Sequence, residues 1–207
     1  MRLRNRNTGG VRGVFAALHG FLAERRGVAA LEFALIVPLM LALYLLALEF
    51  SQAIGVDKKI SRIASQVGDL VTQQPLMTRD ELKGIMKISD AILRPYRRSE
   101  PEITVTAIRI TDETRPKAEV VWSRRYANGA YAPAESPGTT TVVPQSLMVP
   151  GTFLVRSEVE LEYWPVLAWS AEEVGFGGIS GGMFPIVMGE RYYLSPRMTR
   201  TIPCNDC

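Results

Sequence analysis

One histidine, His19, and two cysteines, Cys204 and Cys207, are all the imidazole and thiol that this 207-residue chain holds. A Ser–His–Asp or Cys–His triad needs an imidazole inside the folded domain, and so does any histidine-ligated metal site. His19 instead lies in the basic N-terminal stretch, ahead of the segments able to build a core. Two thiols alone do not make a zinc site. There is no G-x-x-x-x-G-K tract, so the stretch carrying Gly175, Gly177, Gly178, Gly181 and Gly182 reads as a surface loop rather than a phosphate cradle. Carboxylates are plentiful, but no pair stands out by spacing as an acid and its base. The sequence therefore reads as a protein that is not an enzyme and takes no cofactor or metal.

A net positive charge is also missing from most of the chain. The net charge of +3 is concentrated before residue 28, where Arg2, Arg4, Arg6, Arg12, Arg25 and Arg26 face only Glu24. Beyond that point the chain is slightly acidic, which argues against a nucleic-acid partner. Arginine beside a first membrane span holds that side in the cytoplasm. Glu24-Arg25-Arg26 occupies the place where a secretory signal would carry small residues for cleavage.

What the chain does have is a long apolar run. Residues 33–48 read FALIVPLMLALYLLAL, with no charged side chain. As a helix, residues 28–50 are about 35 Å long, enough to cross a hydrocarbon core of roughly 30 Å. Pro38 removes one helix hydrogen bond inside this span, which membrane helices tolerate. Glu49 sits at the far interface. Glu32 is less easily placed, because a charge inside a bilayer costs roughly 2.5–3.5 kcal/mol. Either it lies close enough to the edge to reach the headgroups, or it has a function.

The register of Glu32 bears on that choice. A cut after Gly27 would make Val28 the first residue and Glu32 the fifth, behind a basic leader. That is the type IV prepilin arrangement. The tract R-R-G-V-A-A-L-E-F-A-L-I-V-P-L-M resembles the TadE/TadG-like family of tight-adherence (Flp) pilus assembly proteins. The likeness continues through Leu48-Glu49-Phe50, Asp57-Lys58-Lys59, Ile60-Ser61-Arg62 and Val67-Gly68-Asp69-Leu70-Val71. It returns in Phe184-Pro185, Glu190-Arg191-Tyr192-Tyr193, Pro196-Arg197 and Ile202-Pro203-Cys204.

The resemblance implies a TadE-like minor pilin or pseudopilin in a bacterial inner membrane. A prepilin peptidase would cut between Gly27 and Val28, and His19 would leave with the leader. Glu32 would pair with the freed amine of Val28, its own or a neighbour's, while helices bundle. The implied partners are the membrane, that peptidase, other pilins or pseudopilins and the Flp pilus assembly machinery. Some TadG-like relatives carry a von Willebrand type A domain. This chain is too short for one beside its helix and has no D-x-S-x-S motif, which favours the TadE side. The alternative is an uncleaved single-span tether that displays a periplasmic binding or envelope-scaffolding domain, with Glu32 incidental.

The implied fold class is α+β: a long N-terminal helix packed on a small antiparallel sheet, as in pilins. Four regions follow: residues 1–27 as a cytoplasmic leader, 28–50 as the span, 51–74 as an amphipathic extension and 75–207 as a periplasmic domain. Ile54, Ile60, Ile63, Ala64, Val67, Leu70 and Val71 form the expected apolar stripe of the extension, and Pro75 ends it.

Thr78 and Glu81 form a capping-box pattern for a second helix running to about Leu93. Strands are expected over residues 102–111 and 117–126, joined as a hairpin, and residues 127–150 read as an aperiodic loop. In residues 153–163, Phe153, Val155, Val159, Leu161 and Tyr163 alternate with Arg156, Glu158, Glu160 and Glu162, which predicts a strand with one solvated face. Hard-cation sites curl oxygen ligands around the ion, and a row of carboxylates on a straight strand does not. A last strand is expected at residues 190–194. Trp164, Trp169 and Phe176 read as core rather than lipid-facing aromatics. Cys204 and Cys207 form a C-x-x-C without the helix N-terminus that a redox pair needs, so a structural disulfide, local or to another subunit, is expected.

Overall fold

A computed structural model describes residues 28–96, 98–165, 185–204 and 206–207. The architecture is α+β: a long N-terminal helix with one candidate membrane span, followed by a five-stranded antiparallel sheet. The elements are α1 (Val28–Thr72), α2 (Arg79–Met86), α3 (Ile88–Ile92), β1 (Glu102–Ile110), β2 (Ala118–Ala127), β3 (Ala130–Pro133), β4 (Phe153–Tyr163) and β5 (Ile186–Leu194). Two compact units divide the chain between Leu48 and Glu49.

In the first unit the apolar residues of α1 find no cover among the described residues. Leu31, Phe33, Leu35, Leu39 and Tyr44 are each at least 60% exposed, a condition that a lipid environment relieves. Such a helix fits a single-pass membrane protein.

In the second unit, the outer part of α1 lies on the sheet. Its buried stripe is Val56, Ile60, Ile63, Ala64, Val67 and Val71, packed with Ile103, Val105, Val155, Val159, Leu161 and Tyr163. The 3.6-residue period of the helix and the 2-residue period of the strands place these side chains on facing surfaces. Two residues expected in the stripe are not core: Ile54 is 55% exposed and Leu70 is half-buried. Val56 takes the place expected of Ile54. At Gly68 the helix comes so close that an added Cβ would lie 2.5 Å from Leu194 Cδ1 and 3.3 Å from Ser157 Cβ.

The helix ends at Thr72, whose carbonyl accepts a 2.9 Å hydrogen bond from the Arg197 N–H. Arg197 also forms an ion pair with Asp69. The capping box forms as expected: the Glu81 N–H donates to Thr78 Oγ1, and the Thr78 N–H donates to Glu81 Oε2 at 3.1 Å. The second helix is not continuous to Leu93. It breaks at Lys87 into α2 and α3, where the Ser89 hydroxyl donates to the Met86 carbonyl at 2.9 Å, a side-chain bond that competes with the helix ladder.

The strand order is β3-β2-β1-β4-β5. Strands β1, β2 and β4 lie within a residue of expectation, and β5 begins four residues earlier than expected, at Ile186. The largest departure is residues 127–150, expected as a loop. Asn128 (φ 50°) and Gly129 (φ 73°) turn the chain tightly from β2 into β3, as the Asn-Gly hairpin signal favours. Residues 138–141 then bond to the free edge of β2, and a short 3-10 helix follows at Gln145–Leu147.

This segment covers half of the sheet's second face. Val143 packs with Ile108, Ile110, Ala118 and Leu154 in a separate apolar cluster. Arg156, expected on the solvated face of β4, is consequently buried, and only Glu160 and Glu162 of the acidic row are exposed. The Arg156 guanidinium pairs with Glu135 of the covering segment and with Glu158.

Candidate functional site

The candidate cleavage bond follows Gly27, which lies outside the described residues; Val28 opens α1. Glu32 stands one helical turn further on, exposed, at the head of the apolar face. The glycine-rich stretch with Trp169 and Phe176 also lies outside the described residues.

The second unit begins at the far end of the apolar run, with Glu49. Tyr163, fully buried at the end of β4, donates a 2.6 Å hydrogen bond to Glu49 Oε1. The Tyr96 ring stacks on Tyr163 with centroids 5.5 Å apart, and its hydroxyl accepts from the Trp164 N–H at 3.0 Å. Arg98 donates to the Trp164 carbonyl at 3.0 Å. Burial raises the Tyr163 pKa, and the hydrogen bond and negative charge of Glu49 raise it further. The phenol is thus held as a neutral donor at the point where the chain leaves the apolar run. Trp164 is 37% exposed and stands at this edge rather than in the core.

Sequence reading placed Glu49 at the interface and Tyr163 on the inward face of β4 but missed their pairing, which spans 114 positions and leaves no local signal. It also missed Lys59, which fastens α1 to the chain after α3 by donating to the carbonyls of Leu93 and Arg94 at 3.3 and 2.8 Å.

The C-terminal segment is a strap across β2, α2 and the stretch that leads into α2. The Met77 N–H donates to the Pro203 carbonyl at 3.0 Å, and Trp122 Nε1 donates to the Ile202 carbonyl at 2.8 Å. Asp206 accepts from the Arg79 N–H at 2.8 Å, at the start of α2. Cys204 and Cys207 pair as a disulfide, their Cα atoms 5.4 Å apart. Asp206 lies near both sulfurs, but disulfide sulfurs offer no thiolate, the form a metal requires. The trio does not fit a metal centre.

Residues 27–68 match the family model described as TadE-like protein. The match covers the start of the candidate leader junction, the whole apolar run and α1 as far as Gly68, which agrees with the resemblance seen in that tract. The C-terminal likeness lies outside the matched residues. No curated protein and no solved structure matches the chain.

Proposed function

We propose, from the TadE-like stretch at residues 27–68, that this chain is a minor pilin or pseudopilin that takes part in assembling a Flp-type (tight-adherence) pilus for adhesion. In this reading residues 1–27 form a cytoplasmic leader and residues 28–50 cross the inner membrane. Residues 51–74 continue the helix, and residues 75–207 form a periplasmic domain. A prepilin peptidase removes the leader after Gly27.

The observation that carries the reading is the TadE-like match over a helix that begins at Val28 and keeps a carboxylate at Glu32 inside an otherwise apolar segment. An unpaired carboxylate in lipid is costly, and an opposite charge on the new Val28 amine would offset it. The uncovered apolar residues of α1 suit either lipid or neighbouring pilin helices. Nothing in the reading requires catalysis.

The test is the intact mass and N-terminal sequence of the membrane-extracted protein from cells that carry the native peptidase. A chain beginning at Val28, and one retaining its leader in a Gly27→Leu control, is the expected result. A wild-type chain that still begins at Met1 would sink the processing step and leave a simple membrane tether.

A further inference from the structure

We infer that the heads of neighbouring copies associate side by side, with a basic groove on α1 of one copy receiving the acidic end of β4 from the next. This goes beyond the pilin reading, because it concerns the folded heads and holds with or without leader removal.

The groove is a cavity of about 370 Å³ lined by Lys58, Lys59, Arg62, Gln66 and Ile92. Lys59 is occupied with backbone carbonyls. Lys58 and Arg62 are exposed, lie one turn apart on the same helix face and form no ion pair among the described residues. Like charges at this spacing repel. Asp57 on α1 and Asp90 on α3, which adjoin the groove's residues in sequence, are exposed and pair with neither cation among the described residues. The groove is thus a concave cationic surface whose repulsion an anionic occupant would relieve.

The complementary surface is on the far side of the sheet. Glu160 and Glu162 point away from α1, since Val159, Leu161 and Tyr163 alternate with them and pack in the helix-side core. Glu160 stands directly opposite Glu102 of β1, a like-charge cross-strand pair that costs stability. Arg125 lies 3.3 Å from Glu102, and Arg191 pairs with Glu158, so Glu160 and Glu162 form no ion pair among the described residues. Beside them are Gly189, with no side chain, and Val187, 67% exposed.

Height decides the occupant. Tyr163 meets Glu49 at one end of the head, and Ser157 meets Gly68 further along both elements. Glu160 is midway along β4 between these contacts, as Lys58 and Lys59 are midway along α1. Groove and strip therefore stand level with each other on opposite sides of one head, as a contact between parallel copies in one membrane needs. Anionic lipid is a poorer occupant, because Lys58 lies about 15 Å along the helix beyond Leu48, whereas the headgroup layer is only about 5–8 Å thick on each side. A groove-to-strip contact is heterologous. Each copy keeps a free groove or strip, so the association extends into a row or closes into a ring.

The test is zero-length carbodiimide crosslinking of full-length chains in zwitterionic phosphatidylcholine liposomes, using a mixture of light and heavy isotope-labelled copies. The expected result is mixed-label peptides joining Lys58 or Lys59 to Glu160 or Glu162. The yield should fall at least tenfold for Lys58→Glu/Arg62→Glu alone and for Glu160→Lys/Glu162→Lys alone. Mixing the two reversed variants should restore inter-copy links, now between carboxylates introduced in the groove and lysines introduced in the strip. Restoration also shows that both variants are folded. Links that ignore charge reversal, or that do not return on mixing, would overturn the inference. So would links that form only when phosphatidylglycerol is added, which would assign the groove to lipid.

Discussion

Tyr163 and Glu49, 114 positions apart in the chain, meet through a 2.6 Å hydrogen bond in which the phenol is donor. The bond ties the end of β4 to the first residue after the apolar run, so the sheet is anchored where α1 leaves that run. Removing the hydroxyl with Tyr163→Phe leaves a partly buried carboxylate short of a donor. A loss of about 1.5–3 kcal/mol is expected, as for hydrogen bonds to charged groups. Thermal unfolding of the detergent-solubilised chain measures it.

The same pair sets an alkaline limit. The folded pKa of Tyr163 is raised above the ordinary 10.0 by burial and by Glu49. The native state therefore holds a proton that the unfolded state gives up. This contribution is fully present below pH 10 and is lost as pH rises from there toward the folded pKa. Tyrosinate absorbance should show a phase delayed until the head unfolds, to which Tyr126 and Tyr131, also raised by burial, add. The delayed amplitude should fall by one tyrosine in Tyr163→Phe.

Gly68 is a test of how tightly α1 sits on the sheet. Its added Cβ would fall 2.5 Å from Leu194 Cδ1. Gly68→Ala should cost about 1–3 kcal/mol through overpacking. Leu194→Ala in the same chain should recover part of that cost, and a double-mutant cycle of melting temperatures reads the coupling. Additive effects would show that the helix simply moves away.

Arg156 holds the segment over the second sheet face. Its side chain is 5% exposed, between Glu135 and Glu158. Arg156→Leu leaves Glu135 without its cation, while Glu158 keeps Arg191, at a cost of about 3 kcal/mol, the lower end for a broken buried pair because Glu135 is partly exposed. Limited proteolysis should then cut within residues 134–150 well before the sheet unfolds. Equal resistance in the variant would show that Val143 and its apolar neighbours hold the segment by themselves.

Glu32 separates insertion from assembly. Glu32→Leu removes a charge that costs roughly 2.5–3.5 kcal/mol in a bilayer, so membrane insertion should be unchanged or improved. Pilus formation, scored by shear recovery of fibres from complemented cells, should be lost. Full piliation in the variant would make the carboxylate incidental.

Local chemistry was legible in the sequence by itself. The apolar run, the Thr78–Glu81 capping box and the alternation along β4 each depend on residues a few positions apart, and each determined an element directly. The Asn128–Gly129 turn was equally local, although composition pointed to a loop there. Tertiary structure alone decided which surfaces those elements share. Arg156 and Glu160 lie four residues apart on the same face of one strand, yet one is buried and the other exposed, because residues 134–149 fold back over only half of that face. Tyr163 found Glu49, and Gly68 found Leu194, across more than a hundred positions. Periodicity reports which side of a strand or helix is apolar, but not what comes to cover it, because that depends on contacts between segments with no spacing relation in the chain.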